Sequence, residues 1–135
     1  MSAISVIAGK GGYAWWVDAR TSTSNPPSQS TSYSVRSAEQ PIRFGRWMDV
    51  VVKLKLNTSG AGFVQAWADG TLIFDHAGSI GYNTGTERPY FKFGYYNWNS
   101  FSGVRKVLLR SPVVVVDPTG TKYTHESLRR FVVDR

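Results

Sequence analysis

The sequence predicts an all-β domain, an antiparallel β-sandwich with one short C-terminal helix. Three observations carry it: several short stretches alternate apolar and polar residues, Gly/Asn/Asp-rich turns separate them, and helical spacing appears only after Pro118. The 135 residues suit a single domain. With 41% hydrophobic and 19% charged residues, and with 5 Trp, 7 Tyr and 7 Phe, the chain is too apolar and too aromatic for a disordered polymer.

In order, residues 13–19 read as a strand, and the Ser/Thr-rich residues 21–32, which include Pro26 and Pro27, read as a long loop. Residues 33–37 form the next strand. Residues 47–57 read as a strand, where Met48, Val50, Val52, Leu54 and Leu56 alternate with Asp49, Val51, Lys53 and Lys55. Turn chemistry follows at Asn57-Thr-Ser-Gly-Ala-Gly62. Residues 63–69 resume alternation, and Asp69-Gly70 is a hairpin signal that folds residues 72–75 back. Residues 78–89 read as a loop, ended by an aromatic run at residues 90–98. Residues 104–109 and 113–116 predict one long or two short strands, punctuated by Pro112 and Pro118. At the end, Thr124 can cap a short helix on which Leu128, Phe131 and Val132 share a face.

Composition excludes several classes. No run approaches the roughly 18–20 apolar residues of a membrane helix. Residues 1–10 lack a basic and then hydrophobic leader, so no secretory signal is visible. With no Cys and two His, disulfide scaffolds and zinc sites are not expected. Sixteen Lys+Arg against nine Asp+Glu give +7, a bias toward polyanions. Residues 104–135 hold seven basic residues and three acids, a net +4 within that segment.

Chemistry concentrates at residues 90–98. Alternation puts Tyr90, Lys92, Gly94, Tyr96 and Trp98 on one face and Phe91, Phe93, Tyr95 and Asn97 on the other. The first face suits a sugar groove: aromatic rings stack on pyranoses, an ammonium pairs with carboxylate or sulfate, and a phenol transfers protons. An exposed strand of amphipathic residues explains the same alternation.

Tyr90-Phe-Lys-Phe-Gly-Tyr-Tyr-Asn97 resembles the Y-F-K-x-G-x-Y-N motif of alginate lyases and related jelly-roll polysaccharide lyases. Gly45-Arg-Trp-Met-Asp-Val50 and Gly62-Phe-Val-Gln-Ala-Trp-Ala-Asp-Gly70 likewise resemble the G-x-W-x-D-v stretch and v-x-v-W-x-D-G hairpin of heparin lyase and glucuronan lyase relatives. The resemblance implies a concanavalin-like β-jelly roll with a concave substrate-binding sheet, and β-elimination at a uronic acid residue. That chemistry neutralises the carboxylate, abstracts the C5 proton and protonates the leaving oxygen. By resemblance Tyr96 is the catalytic acid and also a candidate base, with Lys92 as its electrostatic partner. Tyr90, Trp98, Trp67 and Gln65 would bind substrate, although Trp98 stands where alginate lyases commonly have Gln.

The family's Arg strand and Gln-x-His strand are not found ahead of the matched region. Arg36-Ser-Ala-Glu39 is similar to R-S-E but carries an extra residue, and neither His76 nor His125 has a Gln-x-His setting. The chain therefore reads as the C-terminal half of a lyase domain, an incomplete jelly roll over residues 1–135. Its open strand edges would call for a second polypeptide or self-association. The expected partner is an acidic polysaccharide, with membrane and nucleic acid disfavoured. No cofactor is expected: the resemblance allows calcium, but no acidic cluster has the needed ligand density. The resemblance places such enzymes outside the cell or in the periplasm. A non-catalytic carbohydrate-binding or surface-adhesion module remains the alternative.

Overall fold

The computed structural model describes residues 4–8, 14–22, 32–41, 43–82, 108–110, 112–119 and 121–133. These form strands β1 (Ile4–Ala8), β2 (Ala14–Ser22), β3 (Ser32–Arg36), β4 (Gln40–Pro41), β5 (Val50–Lys55), β6 (Asn57–Ala68) and β7 (Thr71–Tyr82), then helix α1 (His125–Val133). The main path of the sheet runs β1-β2-β7-β6-β5, with β3 and β4 also pairing to β2. The architecture is mostly β, an open mixed sheet consistent with part of a β-sandwich.

The alternation of residues 47–57 emerges as β5. Met48, Val50, Val52 and Leu56 pack against the core, while Leu54 is largely exposed. The core is a cluster of Val17 and Ala19 from β2, Val64 and Ala66 from β6, and Phe74 and Ile80 from β7. Burying side chains of this size stabilises by about 1.5–3 kcal/mol for each of the larger ones, so these six residues anchor the sheet.

Turn chemistry sets the registers. Asp69 and Gly70 both have positive φ, 49° and 80°, as a two-residue β6–β7 hairpin requires. Between β5 and β6, the Asn57 Oδ1 accepts hydrogen bonds from Ser59 N at 2.9 Å, Ser59 Oγ at 2.8 Å and Ala61 N at 3.2 Å. This holds the expected turn at the start of β6, where the β6–β7 register shifts between Asn57 and Gly62.

The sequence predicts a loop from residue 78, but β7 continues to Tyr82. Gly78 and Gly81 have φ of 147° and 102°, so the strand bends there instead of ending. The bend lets Thr21 and Ser22 of β2 pair in parallel with Gly81 and Tyr82, whereas every other strand pair among the described residues is antiparallel. That parallel pair makes the sheet mixed where alternation predicts antiparallel pairing only. It arises because a strand that changes direction presents its far end to a non-sequential neighbour.

β3 and β4 are two parts of one interrupted ladder. Arg36 pairs with Asp18 and Gln40 with Trp15, so residues 37–39 oppose only residues 16 and 17. The extra residue of Arg36-Ser-Ala-Glu39 is thus absorbed as a bulge. Buried Ser37 stitches it: its N–H donates to the Val17 carbonyl at 2.9 Å, and its Oγ accepts from Val17 N at 3.0 Å.

Residues 113–116, predicted as a strand, form none. Val114 and Val116 are exposed, and the segment joins no ladder among the described residues. Four β-branched residues favour an extended backbone, but a strand also needs a partner edge. Residues 23–31 of the predicted loop and 104–107 of the other predicted strand lie outside the described residues. At the C-terminus α1 forms as its cap predicts: Thr124 Oγ1 accepts from Ser127 N at 3.2 Å, and the Thr124 carbonyl accepts from Leu128 N at 3.1 Å. Among the described residues no helix is long and apolar enough to cross a membrane.

Candidate functional site

Of the residues singled out from the sequence, Tyr90, Lys92, Tyr96 and Trp98 lie outside the described residues. Gln65 and Trp67 sit on β6, two apart and therefore on one face, opposite the face that sends Val64 and Ala66 into the core. Cross-strand register puts Lys53 of β5 and Asp75 of β7 beside Gln65, and Val51 of β5 and Leu72 of β7 beside Trp67. The Gln65 Nε2 donates to Asp75 Oδ2 at 3.3 Å. This face offers an indole, an amide, a carboxylate and an ammonium within one cross-strand patch.

The C-terminal segment lies over it. The His125 ring stacks on the Trp67 ring with centroids 5.0 Å apart and planes 9° from parallel, and Lys53 Nζ donates to the Tyr123 carbonyl at 3.5 Å. Arg129 clamps Asp49 with two hydrogen bonds, Nε to Oδ2 at 3.0 Å and Nη2 to Oδ1 at 3.3 Å. The ring and ion-pair contacts of α1 with the sheet come from His125 and Arg129, one turn apart. Leu128 is half-buried, and the 42% exposed Phe131 meets Tyr123 edge-on at 6.4 Å.

Both sequence stretches flanking β5 and β6 meet at this end. Asp69 N donates to the Asp49 carbonyl at 2.9 Å, Asp49 N donates to Asp69 Oδ1 at 3.2 Å, and Arg46 pairs with Asp69. The aspartates of G-x-W-x-D and W-x-D-G thus tie the start of β5 to the β6–β7 turn. The Arg129 guanidinium lies over Gly70, 3.3 Å from where a Cβ would stand. Any larger residue there would crowd the clamp.

A second cluster escaped sequence reasoning. Asp18 is fully buried and receives Arg20 at 2.6 Å, and the same guanidinium donates to the Tyr82 phenol. Burial raises the Tyr82 pKa above 10.0. The Arg20 charge opposes the shift, the Asp18 charge adds to it, and the Arg20 hydrogen bond opposes it. The only sequence signal was a charged pair, Asp18 and Arg20, two apart on a strand. Its link to Tyr82 depends on the parallel β2–β7 register.

Both histidines of the chain pack on aromatic rings. His76 lies 6.3 Å from Phe74 with planes 17° apart, and His125 lies on Trp67. Among the described residues no three His, Asp or Glu side chains converge as a metal site would require.

The model of the polysaccharide lyase family matches residues 2–115, which takes in every strand of the sheet and the aromatic run. The chain belongs to the polysaccharide lyase family. No curated protein and no solved structure matches it. In this lyase-family chain the match stops before Thr124 and α1, so the segment covering Trp67 lies beyond the matched span.

Proposed function

We propose that this polysaccharide-lyase domain acts on an acidic, uronic-acid polysaccharide by β-elimination. The observation that carries the reading is the family match over residues 2–115, which spans the Tyr90-Phe-Lys-Phe-Gly-Tyr-Tyr-Asn97 motif. Tyr96 protonates the leaving glycosidic oxygen. It also takes the C5 proton, because neither His76 nor His125 stands in the Gln-x-His setting of the family's histidine base. Lys92 stabilises the charge that develops on the substrate carboxylate. Tyr90, Trp98, Trp67 and Gln65 contact the sugars, aromatic rings against pyranose faces and the amide against hydroxyls.

A second reading, a carbohydrate-binding module without turnover, is favoured by one observation. The chain has no Gln-x-His motif, the setting in which related lyases carry their histidine base.

The experiment is absorbance at about 235 nm during incubation with uronic-acid polysaccharides, which reads the unsaturated product of proton abstraction. A rise that is lost in Tyr96→Phe is the expected outcome. Turnover retained in Tyr96→Phe would remove Tyr96 from the mechanism. A flat trace for the folded wild type, together with measurable glycan binding, would establish the binding module instead.

A further inference from the structure

The segment that covers Trp67 has three properties not expected of a permanent part of the core. It lies beyond the residues shared with the lyase family, which end at 115. Polar and ring-on-ring contacts tie it to the sheet: His125 on Trp67, Arg129 on Asp49, and Lys53 on the Tyr123 carbonyl. Its apolar residues Leu128 and Phe131 are only partly buried, Leu128 half-buried and Phe131 42% exposed, so apolar burial alone does not fix it in place. The Arg129–Asp49 pair joins a carboxylate that is 10% exposed to a guanidinium that is 42% exposed, so another anion can reach Arg129 from its open side.

What the segment covers matches what a sugar would use. A flat imidazole lying nearly parallel to an indole occupies the position in which a pyranose face stacks on a tryptophan. Next to it, Gln65 presents an amide that donates to Asp75 on the neighbouring strand β7. The cover is itself basic: Lys122, Arg129 and Arg130 lie in or beside α1. A polyanion can therefore offer Arg129 a carboxylate in place of Asp49 while its ring displaces His125 from Trp67.

We propose that residues 121–133 are a displaceable cover over a sugar-stacking surface at Trp67 and Gln65, opened by the acidic polysaccharide itself. This rests on the reading above, in which Trp67 and Gln65 contact the glycan. The cover lowers apparent affinity by the fraction of molecules in which it is closed. It also selects for charge, since a neutral chain competes for Trp67 but not for Arg129.

The test uses the full chain with polyglucuronate as probe, reading affinity by calorimetry and amide hydrogen exchange along the backbone. Polyglucuronate should speed exchange in α1 while slowing it in β6 around Gln65 and Trp67. His125→Ala should bind polyglucuronate about three- to tenfold more tightly than wild type, because the closed fraction falls. Adding Trp67→Ala to that variant should abolish the gain. If wild type binds and neither α1 exchange nor the His125→Ala affinity changes, the cover is wrong while the glycan reading stands. If neither wild type nor His125→Ala binds polyglucuronate although both retain the wild-type circular dichroism spectrum, the glycan reading fails and the cover fails with it.

Discussion

Gly62 shows how one residue sets the geometry of a strand. A Cβ there would stand 2.7 Å from the Gly78 carbonyl oxygen and 2.9 Å from that of Lys55, both backbone atoms that cannot move aside alone. Gly62→Ala should therefore destabilise the domain by about 1–3 kcal/mol, the usual cost of overpacking, measured as a lower urea midpoint. Tyr82 makes a different prediction. Its folded pKa is raised, so at a pH above 10.0 the unfolded chain has lost a phenolic proton that the folded one still holds. Stability is full below that pH and falls as the pH rises through the folded value. Tyr82→Phe should flatten this alkaline loss, read from urea unfolding at a series of pH values. Neither effect can be read from the residue type alone. Gly62 resembles any turn glycine, and Tyr82 becomes special only when β7 brings it to Arg20.

Among elements, α1 is the most dependent on its ends. Thr124 satisfies the Ser127 N–H, and Glu126 in the first turn has its carboxyl held below the usual range, chiefly by its own backbone N–H and then by Thr124. Nine residues make a marginal helix without such help. Thr124→Ala should cost α1 about 1 kcal/mol and increase exchange of its amides, with the amides of β5 and β6 unaffected. Loss of β5 protection as well would mean that the helix and sheet open together. The helix and its cap were legible in the sequence, because capping and spacing are local. Its polar partners were not: spacing groups Leu128, Phe131 and Val132 on one face, but gives no sign that His125 stacks on Trp67 or that Arg129 pairs with Asp49. Those partners depend on an aspartate at the start of β5 and an indole on β6, which only the sheet brings together under the helix.

At the scale of the whole molecule, the formal charge of +7 governs how the chain meets a polyanion. Binding to polyglucuronate should weaken as salt rises from low to high ionic strength, because exposed charge pairs are screened beyond about 10 Å at 0.1 M. A glycan affinity insensitive to salt would shift the weight of recognition from charge to ring stacking. Alternation and turn residues were enough to read the all-β class, β5, the β6–β7 hairpin and the capped helix. The two aspartate-bearing stretches were legible as a resemblance, and their mutual hydrogen bonds supply its physical basis. What only the tertiary structure decided is how β7 bends at Gly78 and Gly81 to lie parallel to β2, how Asp18, Arg20 and Tyr82 come together, and what covers Trp67. The division has one physical cause. Period and turn chemistry act between near neighbours and assign each strand two faces, but which distant element lies against each face follows from packing that no local pattern encodes.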